Sequence, residues 1–424
     1  MSVNMRIGRG HLRGTVQMIS SKSDVHRLMI AAALANGPTE IFLNGRSEDI
    51  DATITCLQAL GAQFTCEEHR IVVHPITEEH ADFAVLDCGE SGSTLRFLLP
   101  VAGALGRNAL WEGRGRLPQR PIGILTDLLR GHGCKMTGAH LPLEMSGQLT
   151  GGTYSLPGNV SSQFITGLLF ALPLLEEDSD IILTTELESM GYIAMTLHTL
   201  ERFGIVVERT ANGFHVPGRQ RYHSPGTLQA DGDWSNAAFW LAAGAMGGSV
   251  TCSGLQMQTA QGDQAILELL RRFGAQIEIE GDAVTVCHAS LKACEIDAAQ
   301  IPDLVPVLCM VAAVAEGTTE IHHAGRLRIK ESDRLAAMAD CLHRFGIRVE
   351  ELSEGLRIHG GKWKSESSEV QIDAYGDHRI VMAAAIGAVA LEREVMITGA
   401  EAVAKSYPTF FAEFTRLGGD ADVL

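Results

Sequence analysis

The residues best suited to chemistry in this 424-residue chain sit in short polar segments, each directly ahead of an apolar stretch. SSKSDVHR (20–27) places three serines, Lys22, His26 and Arg27 before LMIAAAL. GESGSTLR (89–96), NVSSQF (159–164), DGDWSN (231–236), IPD (301–303) and YGDHR (375–379) open five more stretches of the same kind. A Ser, Thr, Asp or Asn in such a place is expected from helix capping alone. Capping does not ask for Lys22, Arg27 or the Ser161-Ser162-Gln163 run. The helix dipole disfavours cations at its N-terminus unless an anion lies between them. The free N–H groups and positive end of a helix make an anion seat, so these fronts are suited to phosphate or carboxylate.

More cations come from loops. Arg120 in LPQRPIG precedes a proline, which holds the chain extended. GRLRIKESDRL (325–335) sets Lys330 and Arg334 at i and i+4, on one face if helical, with Glu331 adjacent. Lys405 sits in AVAKSYP. The chain as a whole carries net charge −17, which argues against nucleic acid or an anionic membrane as partner. Cations clustered against that global field point to a small, strongly negative ligand.

The elements that hold these segments repeat. A helix-ending glycine recurs at Gly61, Gly133, Gly204, Gly274, Gly346 and Gly418, with gaps of 72, 71, 70, 72 and 72. The contexts ERFGIVVE, RRFGAQIEIE and HRFGIRVEE are nearly alike: a helix C-terminal Gly, then a period-2 strand. Ahead of each lies an apolar helix followed by a strand, as in LMIAAALANGPTEIFL and LVPVLCMVAAVAEGTTEI. The unit is therefore helix, strand, linker, helix, strand, six times over. Helices apolar on all sides belong inside, with sheets outside. PGRQRYHSPGTLQADGD (217–233) breaks the pattern and parts three units from three. Two similar domains, with a cleft between them as the ligand site, are expected.

Apolar content of 46% and charged content of 20% fit a soluble globular protein long enough for two cores. No apolar run reaches the roughly 20 residues of a membrane span. MSVNMRIGRG lacks the apolar stretch of a secretory signal. Nine cysteines are scattered singly without a CxxC pair, as expected of free thiols in a reducing cytosol.

In this order and spacing, SSKSDVHR, SGSTLR, RPIG, SSQF, IPD, KESDR, DHR and AKSYP resemble the 3-phosphoshikimate 1-carboxyvinyltransferases, or EPSP synthases, over nearly the whole chain. The resemblance implies an α/β fold of two domains, each of three βαβαββ units with buried parallel helices and outer sheets, an inverse α/β barrel. It implies a domain at 20–225 on the shikimate 3-phosphate side and a second made of 1–19 plus 226–424. The implied reaction moves the enolpyruvyl group of phosphoenolpyruvate to the 5-hydroxyl of shikimate 3-phosphate and releases phosphate. No metal or cofactor is implied, and the expected enzyme is a cytoplasmic monomer.

Carried over, the resemblance gives shikimate 3-phosphate to Lys22, Ser23, Arg27, Ser161, Ser162, Gln163, Ser189, Tyr192, Asp303 and Lys330. Phosphoenolpyruvate falls to Lys22, Gly92, Arg120, Gln163, Arg334, Arg379 and Lys405. At Gly92 the missing Cβ lets backbone approach a small ligand. Asp303 is the implied base, Glu331 the proton donor to carbon with Lys22 as alternative, and His378 a proton relay or a buried structural His. Glu90, Ser93 and Arg326 depart from Asn, Thr and Asn in many members. The sister enzymes that act on UDP-N-acetylglucosamine share the fold but use a loop cysteine and a Lys-Asn pair. Here the pair is Lys22-Ser23, and WEGRGRLPQRP (111–121) has no cysteine.

Overall fold

The computed structural model describes residues 3–77, 83–361 and 370–424. Among these, six four-stranded sheets share one strand order. Phe83–Asp87, Asn108–Glu112, Leu143–Gly147 and Cys134–Met136 show it: an edge strand parallel to its neighbour, then two antiparallel pairings. Alternation sets the faces. Trp111, Leu143 and Met145 point to the core, while Phe83 and Val85 stand half exposed.

Twelve α-helices alternate between two kinds among the described residues. They are α1 (Lys22–Ala33), α2 (Glu48–Ala59), α3 (Gly92–Ala104), α4 (Gly123–Gly131), α5 (Ser162–Ala171) and α6 (Met190–Arg202), then α7 (Trp234–Gly247), α8 (Ile266–Phe273), α9 (Val305–Val314), α10 (Arg334–Arg344), α11 (His378–Ala390) and α12 (Phe410–Arg416). The odd-numbered helices are buried nearly all round, as their unbroken apolar composition requires. The even-numbered ones bury one stripe, as α8 does with Ile266, Leu267, Leu269, Leu270 and Phe273. Each even helix ends at one of the six repeating glycines. All six have positive φ, from 76° at Gly204 to 108° at Gly61, a conformation that turns the chain from helix to strand and disfavours a Cβ.

The chain divides into two compact units, Ser20–Ala230 and Met1–Ile19 with Asp231–Leu424. Each has its own apolar core. Three short strands complete sheets far from their own place in sequence. Thr227–Gln229 runs parallel to Thr39–Phe42, so the chain leaves the first unit after Ala230 rather than at the expected 225. Arg13–Gln17 runs parallel to Ser249–Ser253, and Asn4–Ile7 lies between Val395–Thr398 and Ala421–Val423. No helix among the described residues is long and apolar enough to cross a membrane.

Candidate active site

In the 20–230 unit the front of α1 is capped by Ser21, whose Oγ accepts from the Asp24 N–H, and Lys22 is the first helical residue. Lys22 Nζ lies 2.7 Å from Asp49 Oδ2 at the start of α2. Arg27, one turn on and 2% exposed, donates from Nε to Thr196 Oγ1 (2.9 Å), from Nη1 to the Ser23 carbonyl (2.6 Å) and from Nη2 to the Tyr192 carbonyl (3.0 Å). Its guanidinium lies over the Phe97 and Tyr192 rings. Burial pushes its pKa down to about 10, so it stays charged. One arginine thus ties together Ser23, Tyr192 and the fronts of α1 and α6. Ser189 caps α6 with φ 55° and ψ 46°, a left-handed conformation that costs a non-glycine residue about 1–2 kcal/mol.

At the front of α3 the structure gives Gly92 a use that the sequence reading did not foresee. A Cβ there would lie 2.7 Å from Arg120 Nη1 and 2.9 Å from its Cζ. The missing side chain makes room for a nearly buried guanidinium, rather than for a ligand alone. Gln163 is held from both ends: Arg96 Nη1 donates to its Oε1 (2.6 Å) and its Nε2 donates to Ser93 Oγ (2.9 Å). Ser161 caps α5 without a side-chain bond, and Ser162 is its first residue. Behind these fronts, His26 Nδ1 meets Thr53 Oγ1 (2.7 Å), Thr53 meets Thr94 (2.6 Å), and Thr94 donates to Ser91 (2.7 Å). Burial first, then Lys22 and Arg27, hold the His26 imidazole well below its usual range, hence neutral.

The other unit gathers its charges around Asp303, in the short turn Pro302–Leu304 that leads into α9. Asp303 Oδ1 accepts from Arg334 Nη1 at 2.7 Å and lies 3.9 Å from Lys330 Nζ, and Oδ2 is 3.5 Å from Arg379 Nη2. Arg379 Nη1 also donates to the Asp303 carbonyl (2.9 Å). Arg334, 1% exposed, further donates from Nη2 to Glu331 Oε2 (2.8 Å) and from Nε to Asp377 Oδ2 (2.8 Å). Lys330 is not on a shared helical face with Arg334: α10 begins at Arg334, and Lys330 precedes it in extended backbone after the turn Gly325–Ile329. The two meet through Asp303 instead. Lys405 Nζ donates to the Gly376 carbonyl (2.7 Å), which ties it to the YGDHR segment, and His378 is buried beside Asp377.

Burial pushes Lys330 down to about 8, with Arg334 and Arg326 adding to the effect and Asp303 opposing it. Burial alone would raise the Asp377 carboxyl, but Arg334 pulls it below the ordinary carboxylate range. Arg326, the departure noted from sequence, donates to the Ala299 carbonyl (2.8 Å). Sequence reasoning missed the counter-charges Asp49 and Asp377, and Arg96. Asp377 caps α11 by accepting from the Arg379 N–H, and a lone Asp at a helix front reads only as a cap. Among the described residues no group of three or more His, Cys, Asp or Glu stands where it could hold a metal ion.

Two units of buried helices, whose fronts carry cations, hydroxyls and a guanidinium-held carboxylate, are built on the fold of the enolpyruvyl transferases. The enolpyruvyl transferase NikO of Streptomyces tendae superposes with a TM-score of 0.81 over 100% of this chain and 98% of that one, at 17% identity. The sequence model of the EPSP synthase (3-phosphoshikimate 1-carboxyvinyltransferase) family matches residues 7–414, and the chain belongs to that family. It is 42% identical over 417 residues to the 3-phosphoshikimate 1-carboxyvinyltransferase of Clostridium acetobutylicum, covering 96% of each chain. It is 40% identical over 413 residues to that of Clostridium perfringens, again covering 96% of each. The EPSP synthase of Acinetobacter baumannii superposes with a TM-score of 0.82 over 100% of both chains, at 26% identity.

Proposed function

We propose that this enzyme transfers the enolpyruvyl group of phosphoenolpyruvate to the 5-hydroxyl of shikimate 3-phosphate and releases phosphate. The observation that carries the reading is Asp303, a carboxylate held by two guanidiniums and a lysine at helix fronts, in a chain of this family. Asp303 takes the hydroxyl proton as the oxygen bonds to C2 of phosphoenolpyruvate. Glu331, with Lys22 as the alternative, gives a proton to C3. A methyl proton then returns to the group that protonated C3 as the C2–O bond to phosphate breaks, phosphate leaves and the enol ether forms.

Shikimate 3-phosphate is assigned to Ser23 and Arg27 at its carboxylate and to Ser161, Ser162, Ser189 and Lys330 at its phosphate, with Gln163 and Tyr192 alongside. Phosphoenolpyruvate is assigned to Lys22, Gly92, Arg120, Gln163, Arg379 and Lys405. Arg334, committed to three carboxylates, contributes charge and alignment. One chain supplies every assigned group, so a monomer suffices, and the unpaired cysteines fit a reducing cytosol. Phosphate release from phosphoenolpyruvate, with shikimate 3-phosphate and UDP-N-acetylglucosamine offered in separate tubes, tests the reading. Release only with the former is expected; release only with the nucleotide sugar would replace the acceptor.

Two further results follow from the geometry. Gly92→Ala forces the Arg120 guanidinium aside, since 2.7 Å is closer than any Cβ contact can be. KM for phosphoenolpyruvate should rise roughly tenfold, about 1.4 kcal/mol, with little change for shikimate 3-phosphate. An unchanged KM would show that Arg120 does not serve that ligand. Lys330, with a value near 8, is charged below pH 8 and neutral above it. Affinity for shikimate 3-phosphate should therefore fall about tenfold from pH 7 to 9, the worth of one charge-assisted hydrogen bond. In Lys330→Arg, which stays charged, titration calorimetry should find that slope flattened; an equally steep slope would move the titration to another group.

A further inference from the structure

His26 stands between Lys22 and Arg27 in the first polar segment, yet no role given above uses it. It forms the inner of two rungs between α1 and α2. Lys22 and His26 lie four residues apart on one face of α1, and Asp49 and Thr53 lie four apart on one face of α2. The outer rung joins Lys22 Nζ to Asp49 Oδ2 (2.7 Å), and the inner one joins His26 Nδ1 to Thr53 Oγ1 (2.7 Å). From Thr53 the inner rung runs on to Thr94 (2.6 Å) and then Ser91 (2.7 Å), whose Oγ also accepts the Thr94 N–H (3.2 Å) and so caps α3. His26, Thr53, Thr94 and Ser91 are all wholly buried. The two residues after Ser91 are Gly92, packed against Arg120, and Ser93, which accepts from Gln163.

The direction of this chain follows from counting protons, since a hydroxyl has only one to give. Thr94 gives its own to Ser91, so the short contact between Thr94 and Thr53 needs the proton of Thr53. Thr53 then has none left for His26, and Nδ1 must carry a proton and donate it. We propose that His26, as the Nδ1–H tautomer, is a positioning residue for Lys22 and Gly92: it starts a directed chain that fixes the register of α1 against α2 and the cap of α3. The proposal rests on the assignment of Lys22 and Gly92 to phosphoenolpyruvate. Burial, then Lys22 and Arg27, keeps the ring neutral, which leaves Nε2 a bare lone pair. That atom has no hydrogen-bond partner among the described residues, and an acceptor is less costly to leave unpaired than an N–H. The ring stands T-shaped to Phe97, with centroids 6.4 Å apart. His26 is sealed from any ligand and acts only through the rungs.

The tautomer is read by NMR in the full-length enzyme labelled with ¹⁵N-histidine, with His26→Asn identifying the signal. A protonated Nδ1 and an unprotonated Nε2 are expected at neutral pH; the reverse, or a doubly protonated ring, would overturn the proposal. His26→Asn places an amide N–H where Nδ1 stands and should keep KM for phosphoenolpyruvate within about twofold of the parent. His26→Phe keeps the ring and removes the donor, and should raise that KM about tenfold, with a smaller loss in kcat. Thr53→Val cuts the same rung from α2 with the same effect, and it decides the matter should His26→Phe fail to fold. The two together should do no more than either alone, because they break one chain. Equal KM values in the Asn and Phe variants, or a double variant whose losses multiply, would reduce His26 to packing and sink the proposal. Affinity for shikimate 3-phosphate alone, by calorimetry, should hold within about twofold, since Arg27 is tied separately to Thr196 and Tyr192. A parent enzyme without phosphate release in the presence of shikimate 3-phosphate would sink the proposed reaction, and the tautomer, read without substrate, would still decide the chain.

Discussion

Asp303→Asn is expected to lower kcat by about 10²–10⁴ while leaving the affinity for shikimate 3-phosphate equal or higher. The substitution keeps the shape of the side chain and removes its ability to take a proton. It also removes one negative charge from a site meant for polyanions, so binding has no reason to weaken. Arg334 retains Glu331 and Asp377, which keeps the guanidinium in place after one of its three partners is gone. Quenched-flow single turnover isolates the chemical step, and calorimetry gives the affinity. A kcat within tenfold of the parent would remove Asp303 from the role of base. A large loss of affinity alongside a normal chemical step would recast it as a binding residue.

The second large effect is on stability. Arg334→Met leaves Asp303, Glu331 and Asp377 without the cation that joins them, with Asp377 wholly buried. Breaking a buried ion pair from one side costs about 3–5 kcal/mol. For a unit of this size that is roughly 2–4 °C per kcal/mol, so a drop in Tm on the order of 10 °C is expected by calorimetry at pH 7. The pH dependence has a definite sign. Arg334 holds the Asp377 carboxyl below its unfolded value, so its contribution is present above the unfolded value and lost as pH falls through the folded one. In the variant that contribution is absent, and the gap in Tm between the two proteins should hold above the ordinary aspartate value of about 4 and narrow as pH falls below it. A gap that widens on acidification would mean that the triad does not govern stability.

Much of the fold was open to sequence because its signals are local. The glycines recur because each turns a helix into a strand through positive φ, and the inner helices declare themselves by lacking a polar face. The short strands Asn4–Ile7, Arg13–Gln17 and Thr227–Gln229 carried no such signal, since nothing within 3–5 residues tells which distant sheet will take them. At the site, cations were legible because a helix front has no other use for them. Their carboxylate partners Asp49 and Asp377 were not, because the same position suits an ordinary cap or a solvated turn. Lys330 and Arg334 illustrate the remaining gap: their spacing suggested a helical face, and the chain brings them together through a third residue instead.

The exchanged strands also set an order of assembly on the ribosome. The 20–230 unit holds all its strands within one continuous stretch and can close once Thr227–Gln229 emerges. The other unit makes two of its strands first, at 4–7 and 13–17, and must wait for their partners at 249–253, 395–398 and 421–423. Throughout synthesis of the first unit those early strands remain unpaired edges, the kind of surface on which nascent chains stray. Their shortness and the glycine at position 14 limit how well they can pair with anything but the sheet that finally receives them.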